Sequence, residues 1–312
     1  MKVHFELKNF KATSPVVTIG TFDGVHLGHR KVLQKLDDIA KEKKGESVLF
    51  TFFPHPRLVL HPEKSGLRLL TTLEEKIKLL EDIGIDHLIV FPFTKEFSEF
   101  SYNDFVKDIL VDQIKTSYLV VGYDHKFGKN REGGFDFLKQ CAEMYRFEIA
   151  KLDALLIDDI NVSSTKIRRA IEIGDFVSAN KYLGYKFTLH GKVVEGKKLG
   201  REIGFPTANV EASDVHKIIP GYGVYAVKLA VGNKLYNGML NIGTRPTFNK
   251  NADQRSIEVN IFDFEKDIYG QGVTLFFMDK IREERKFEGI DALVEQLKRD
   301  KRHALKFFNK SD

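Results

Sequence analysis

An α/β domain on a five-stranded parallel sheet, followed by a small antiparallel β-barrel domain with a C-terminal helix, is the architecture this sequence predicts. Three observations carry it. Across the first half, short β-rich runs alternate with helical stripes, the pattern of a doubly wound sheet. From Phe187 onward the runs follow one another through turns, as strands of a small barrel do. The chain has 312 residues, more than one core usually organises and comfortable for two domains of roughly 100–200 residues.

The first run is Val16–Ile19, followed by a glycine-containing loop. Val32, Leu33, Leu36, Ile39 and Ala40 then fall on one helical face. Ser47–Phe53 is a second strand. A helix follows from Thr72 to Ile83, with Thr72 and Glu75 spaced as a capping box and Gly84 as its stop. Leu88–Phe91 is a third strand, and a helix starting near Ser101 carries the stripe Phe105, Ile109, Leu110, Ile114. Tyr118–Val121, a helix over Gly134–Tyr145 and Phe147–Leu152 complete five strands. Two short helices, Ser163–Ile173 and Asp175–Leu183, are split by Gly174. The domain boundary falls near Tyr185: residues 1–185, including a helical linker over 163–185, then residues 186–312. In the second half the strands are Phe187–Glu195, Val224–Val231, Lys234–Ile242, Ile257–Phe262 and Val273–Met278, with Gly232-Asn233 as a hairpin turn. A helix over Ile290–Phe307 closes the chain.

Composition narrows the classes. Hydrophobic residues make up 42% and charged residues 30%, enough to bury a core and remain soluble. One cysteine, Cys141, excludes an internal disulfide and a cysteine-based zinc cage. No apolar run approaches the roughly 18 residues of a membrane span, and the start lacks a signal-peptide core, so a cytoplasmic protein is expected. The 49 basic and 44 acidic residues leave a net +5, a weak excess that argues against a nucleic-acid partner. The 26 phenylalanines read chiefly as core filling.

Chemistry concentrates first in the loop Gly20-Thr21-Phe22-Asp23-Gly24-Val25-His26-Leu27-Gly28-His29. Two histidines three apart at a helix start can aim at one point, and Gly28 between them permits close approach of a ligand. Unpaired N–H groups and the helix dipole add an anion site there. Together these suit a triphosphate whose charge grows as pyrophosphate leaves. A metal pair is the other reading, although such pairs more often lie four apart with a carboxylate between. A second signal is Ser163-Ser164-Thr165-Lys166-Ile167-Arg168: hydroxyls at a helix start with a cation one turn later can hold phosphates from the far side. Alone it is equally a plain helix cap.

In the second half, Gly191 to Lys198 nearly spells a phosphate-binding P-loop, but Lys198 stands where a hydroxyl must hold magnesium. The following glycines, Gly196, Gly200 and Gly204, recur every fourth residue and suit a flap over phosphates, or a merely flexible hairpin. Thr207 and Asn209 are two apart, so on an extended strand both face one way and could hold Mg²⁺ between phosphates.

His-x-Gly-His followed by Ser-Ser-Thr-x-Ile-Arg resembles the nucleotidyltransferase superfamily. The longer strings resemble the prokaryotic bifunctional riboflavin kinase/FMN adenylyltransferase family, also called bifunctional FAD synthetase. These include Thr51–Pro56, Gly122–Lys129, Gly204–Asn209, Gly223–Ala226, Asn241–Phe248, Ser256–Phe262 and Ile281–Phe287. The resemblance covers nearly the whole chain. It implies a Rossmann-like nucleotidyltransferase domain that adenylylates FMN to FAD, and a barrel that phosphorylates riboflavin to FMN. Both steps would use ATP with Mg²⁺, and flavins would be substrate and product.

Carried onto this sequence, the family pattern places nucleotide contacts at Gly20, Phe22, Asp23, Gly28, Ser163, Ser164 and Thr165, with His26, His29 and Arg168 catalytic. It places flavin contacts at Phe53, Asp124 and Phe127. In the barrel it implies Gly191, Lys197, Gly200 and Gly204 for nucleotide and Thr207 and Asn209 for metal. Arg282 and Phe287 would border the flavin, and Glu258 would be the general base that takes the hydroxyl proton. Two positions depart from many relatives: His125, where an aromatic is common, and Asn260, where histidine is. A cytidylyl- or pantetheine-phosphate adenylyltransferase shares His-x-Gly-His without implying Gly-Phe-Pro-Thr-Ala-Asn. A non-catalytic RNA-binding module would call for a strongly basic, aromatic-lined face.

Overall fold

The computed structural model describes residues 1–62, 66–122, 134–153, 156–157, 160–196, 199–244 and 255–308. The chain forms two compact units, Met1–Ser164 and Thr165–Asp312.

In the first unit the strands are β1 Lys2–His4, β2 Val16–Ile19, β3 Ser47–Phe53, β4 His87–Pro92, β5 Tyr118–Val121 and β6 Glu148–Lys151. They form one sheet in the order β1-β4-β3-β2-β5-β6, and every pairing is parallel. The sheet therefore has six strands, not five. The extra one, Lys2-Val3-His4, is three residues long at the edge beside β4, too short and too polar to stand out as a β-rich run.

Helices α1 Leu27–Glu42, α2 Pro56–Leu60, α3 Leu73–Glu81, α4 Lys95–Ser98, α5 Tyr102–Asp104 and α6 Phe135–Tyr145 connect the strands. Alternating strand residues feed two cores, as a doubly wound sheet requires. Val16, Leu49, Leu88 and Val120 face Leu33, Leu36 and Ile39 of α1 and Leu80 of α3. Val17, Phe50, Ile89 and Leu119 face the other layer with Phe105, Leu110, Leu138 and Cys141. The capping box at Thr72 and Glu75 is present, with reciprocal bonds of 3.2 and 2.8 Å. The stripe at Phe105, Ile109 and Leu110 is buried, but Phe105–Gln113 winds as a π-helix. Its i→i+5 bonding makes a wider turn than the α-helix, which suits that 4-then-1 spacing. A short antiparallel ribbon, β7 Leu156–Ile157 with β8 Ile160–Asn161, precedes the unit's end.

α7 Ser164–Ile173 begins at the last residue of the first unit and runs into the second, where α8 Phe176–Leu183 follows. Strands β9 Thr188–Val194, β10 Ala208–Ala212, β11 Gly223–Val231, β12 Lys234–Thr244, β13 Arg255–Ile261 and β14 Gly272–Arg282 close a barrel in the order β10-β13-β12-β11-β14-β9. All six pairings are antiparallel. β10 is missing from the strands read in the sequence, where only Thr207 and Asn209 are placed on extended chain; it is five residues long. A four-residue helix α9, Leu199–Glu202, precedes it. The last helix, α10 Ile290–Phe308, buries Ala304 and Phe308 against Ala226, Met239, Phe262 and Met278.

Helix α8 is built into the barrel. Phe176 is fully buried, its ring centroid 4.9 Å from Phe277, 5.6 Å from Tyr225 and 6.0 Å from Phe187. The Asn180 amide donates to the Phe277 carbonyl at 3.0 Å and accepts from the Phe187 N–H at 2.7 Å. A fragment of residues 163–312 is therefore expected to outlast one of residues 184–312 in urea. The gap should reach at least the roughly 3–5 kcal/mol of one deleted buried phenylalanine. Equal stabilities extrapolated to water would show that α8 adds nothing.

Candidate active sites

In the first unit β2 lies between β3 and β5, the point where strand order reverses and where α/β sheets open a crevice at the carboxyl ends of their strands. The loop leaving β2 there is strained. Phe22 and Val25 have φ of +47° and +36°, costing about 1–3 kcal/mol each in a non-glycine residue. Gly20 has no room for a side chain, since a Cβ would lie 2.8 Å from the Phe22 ring.

The loop ends at His26, the N-cap of α1, whose Nδ1 accepts from the His29 N–H at 3.3 Å. The two imidazoles stack with centroids 3.6 Å apart and planes 16° apart. Phe22 lies 4.7 Å from His29 on a tilted plane. Loss of solvation pushes His29 well below the ordinary histidine range, and the charges of His26 and Lys76 push the same way. His29 Nδ1 is buried without a hydrogen-bond partner. His29 is therefore a desolvated imidazole stacked on His26 at a helix N-terminus, an arrangement suited to an oxyanion.

One segment holds this loop. The Asp23 carboxylate, buried, accepts from the Leu70 and Thr71 N–H groups at 3.0–3.1 Å and from the Thr71 hydroxyl at 3.3 Å. The Gly24 N–H donates to the Thr71 hydroxyl at 3.0 Å, and Lys76 Nζ donates to the Thr21 carbonyl at 2.7 Å. Asp23 thus grips backbone. Lys76 escaped the sequence reading. The signal was there: it takes an apolar-stripe position of α3, three after Leu73 and four before Leu80.

Ser164 joins the same loop, its hydroxyl donating to the Asp23 carbonyl at 2.9 Å. Gly28 lies against His26 on one side and the Val162 carbonyl on the other, so Ser163 and Ser164 follow directly from a strand of chain beside the histidines. Thr165 and Arg168 continue along α7 into the second unit. Phe53 is exposed at the carboxyl end of β3, the strand next to β2. Asp124, His125 and Phe127 lie outside the described residues.

In the second unit, register defines the site. Glu258 of β13 pairs with Asn209 of β10 on one side and with Asn241 of β12 on the other. Directly paired residues project to the same face, with Cβ atoms about 4.5–5.5 Å apart. The three form a polar row opposite the buried Ile257 and Val259. All three are half-buried. Asn241 was read only as part of a matching string; pairing across strands, invisible in sequence order, is what joins it to Glu258. Asn260 is fixed elsewhere, its amide donating to the Pro206 carbonyl at 2.7 Å. That bond tethers the segment bearing Thr207 just before β10.

The remaining barrel residues are less gathered. Gly191 is a ladder residue of β9 opposite Ala212 and Val273. A Cβ there would strike Val210 and the Glu211 carbonyl, so close strand approach accounts for this glycine. Gly200 lies in α9 and Gly204 just after it with φ +78°; Lys197 is outside the described residues. Arg282 donates to the buried Asp300 carboxylate at 2.9–3.1 Å and lies 5.5 Å from the Phe287 ring, which Arg285 also approaches at 5.0 Å. Among the described residues no cluster of three His, Cys, Asp or Glu could hold a metal, and no helix is long and apolar enough to cross a membrane.

Comparison with known proteins matches the two units to two families. Residues 9–166 fit the FAD synthetase family and residues 183–308 fit the riboflavin kinase family. A bifunctional riboflavin kinase/FMN adenylyltransferase of Bacillus subtilis (strain 168) is 39% identical over 307 residues, 98% of this chain and 96% of that protein. The protein of the same name from Listeria monocytogenes is 40% identical over 95% of this chain and 93% of its own length. A solved structure titled a macrolide-efflux protein from Streptococcus pneumoniae superposes with a TM-score of 0.86 at 30% identity, covering 96% of this chain and 97% of that one.

Proposed function

This chain belongs to the bifunctional riboflavin kinase/FMN adenylyltransferase family, and from that premise we propose how its residues divide the work. The enzyme phosphorylates riboflavin with ATP to give FMN in its C-terminal domain. Its N-terminal domain then adenylylates FMN with a second ATP, giving FAD and pyrophosphate.

We assign the adenylyl step to residues 1–185 and the kinase step to residues 186–312. The observation that carries the first assignment is the stacked imidazole pair at the N-terminus of α1. The FMN phosphate attacks the α-phosphorus of ATP as the bond to pyrophosphate breaks in line. No protein nucleophile is needed, so positioning and charge stabilisation supply the rate. His26 and His29 face the departing phosphates, and the strained loop holds them there. Ser163, Ser164, Thr165 and Arg168 are read as the opposite jaw, with Gly20, Phe22 and Gly28 shaping the nucleotide seat. Phe53, with Asp124 and Phe127, is read as the flavin side.

In the barrel Glu258 takes the proton of the riboflavin hydroxyl as its oxygen attacks the γ-phosphorus of the other ATP. Thr207 and Asn209 offer oxygen ligands, the kind Mg²⁺ takes, and Asn209 pairs with Glu258. An Mg²⁺ ion there would neutralise phosphate charge. Lys197, Gly200 and Gly204 are read as the phosphate flap, and Arg282 with Phe287 as the flavin border. A supply of ATP and flavin suits a cytoplasmic setting.

The test is to incubate the chain with riboflavin, ATP and Mg²⁺ and separate the flavins: FMN and FAD should both appear. Arg168→Ala is expected to weaken ATP use in the FMN-to-FAD step alone, by ten- to hundred-fold, since a charge-assisted phosphate contact contributes roughly 1.5–3 kcal/mol. An unchanged ATP dependence would leave Ser163–Arg168 as an ordinary helix start.

A further inference from the structure

Helix α3 carries a lysine where its apolar stripe would take a leucine. Lys76 is 7% exposed, and its Nζ donates to the Thr21 carbonyl at 2.7 Å. That carbonyl lies between Gly20 and the positive-φ Phe22. Asp23 favours the ammonium, and Lys76 and His26 together disfavour protonation of His29. Burial pulls the ammonium down to about 8, so holding a charge here works against the fold. An apolar side chain would avoid that penalty and leave the Thr21 carbonyl to the Thr51 hydroxyl, which donates to it at 3.3 Å. A lysine kept in such a place has its use in the site it adjoins.

We propose that Lys76 is a positioning residue for adenylyl transfer, clamping the Thr21 carbonyl so that the loop presents His26 and His29 correctly and lending a fixed positive charge where pyrophosphate departs. The proposal rests on the reading that this loop carries the adenylyl step. Two clamps then act from one short segment. Leu70 and Thr71 grip Asp23, and Lys76 grips Thr21, two residues earlier. The first clamp closes on the Asp23 carboxylate through N–H and hydroxyl donors; the second brings a cation. Because that cation is in place before substrate arrives, it acts without reorganisation during the reaction.

The test compares Lys76→Met, Lys76→Arg and His29→Ala in the full-length chain, using riboflavin phosphorylation by the same protein as the internal control. Lys76→Met is expected to lower kcat for FMN-to-FAD conversion at least ten-fold with KM for ATP nearly unchanged, the mark of an interaction made in the transition state. It should phosphorylate riboflavin normally and melt at the same temperature or higher. Lys76→Arg should recover most of kcat. In histidine NMR of the substrate-free protein, the His29 titration midpoint should move up in Lys76→Met, because a neighbouring cation is gone. Wild-type kcat in Lys76→Met beside an inactive His29→Ala would overturn the role of Lys76 alone. Full adenylylation by His29→Ala would overturn the reading beneath it. An unmoved His29 midpoint, or a lowered melting temperature that accounts for the loss, would reduce Lys76 to a structural lysine and overturn the proposal.

Discussion

Glu258→Gln is expected to lower FMN formation from riboflavin by about 10²–10⁴-fold, the usual range for losing a general base, while supplied FMN still becomes FAD. The substitution keeps the size and shape of the side chain and removes only its basicity. Glu258 is half-buried on β13 between Asn209 and Asn241, so the amide can be accommodated without a buried orphan charge. The barrel should remain folded, and its melting temperature gives the check. Separating flavins after a timed incubation reads both steps from one sample. Kinase activity near that of the wild type would remove Glu258 from the role. A parallel loss of FAD formation from FMN would instead mean that the two steps share a site.

His29→Ala should give the mirror result: a loss of roughly 10²-fold or more in FAD formation, with riboflavin phosphorylation intact. Its effect on stability has a definite sign. His29 is held neutral in the folded protein by loss of solvation, with His26 and Lys76 adding to it, whereas in the unfolded chain it protonates near pH 6.5. The unfolded state therefore binds the extra proton, and the contribution of His29 to stability is lost as pH falls below about 6.5. The alanine variant should lose less stability than the wild type between pH 7 and pH 5, a difference that chemical denaturation at several pH values would read. Equal losses would mean that His29 protonates in the fold as readily as in the unfolded chain.

Much of the architecture was legible in residue order, because local pattern and packing agree in it. Val16–Ile19, Ser47–Phe53 and Tyr118–Val121 are strands as read, since each is a β-rich run buried within a parallel sheet. What escaped was what pattern does not encode. β1 is an edge strand recognised only through β4, and Phe105–Gln113 takes a wider helical turn. The sites follow the same rule. His26 and His29 are three apart in sequence and visible there. Lys76 reaches Thr21 across 55 positions and Asn241 meets Glu258 through strand pairing. Only three-dimensional proximity reveals either. Asp23 and Gly191 carried meaning in their motifs, and the structure gives each a supporting job in the backbone that a string match cannot distinguish from ligand contact.

The docking of α8 has a consequence for how this protein is made. Phe176 closes on Phe277, and the Asn180 amide bonds to the Phe277 carbonyl across 97 positions. During synthesis at about 5–20 residues per second, the helix must wait roughly 5–20 s after leaving the ribosome before its partner exists. Throughout that interval Phe176, buried in the finished unit, can meet Phe187 and Tyr225 but lacks Phe277, the ring it lies nearest. The first unit's sheet needs nothing beyond β6 and can form while the chain is still growing. The second has long-range contacts that postpone its cooperative closure until β14 emerges. A nascent chain stalled between α8 and β14 would thus carry one complete domain and one sticky helix, the arrangement that recruits chaperones first.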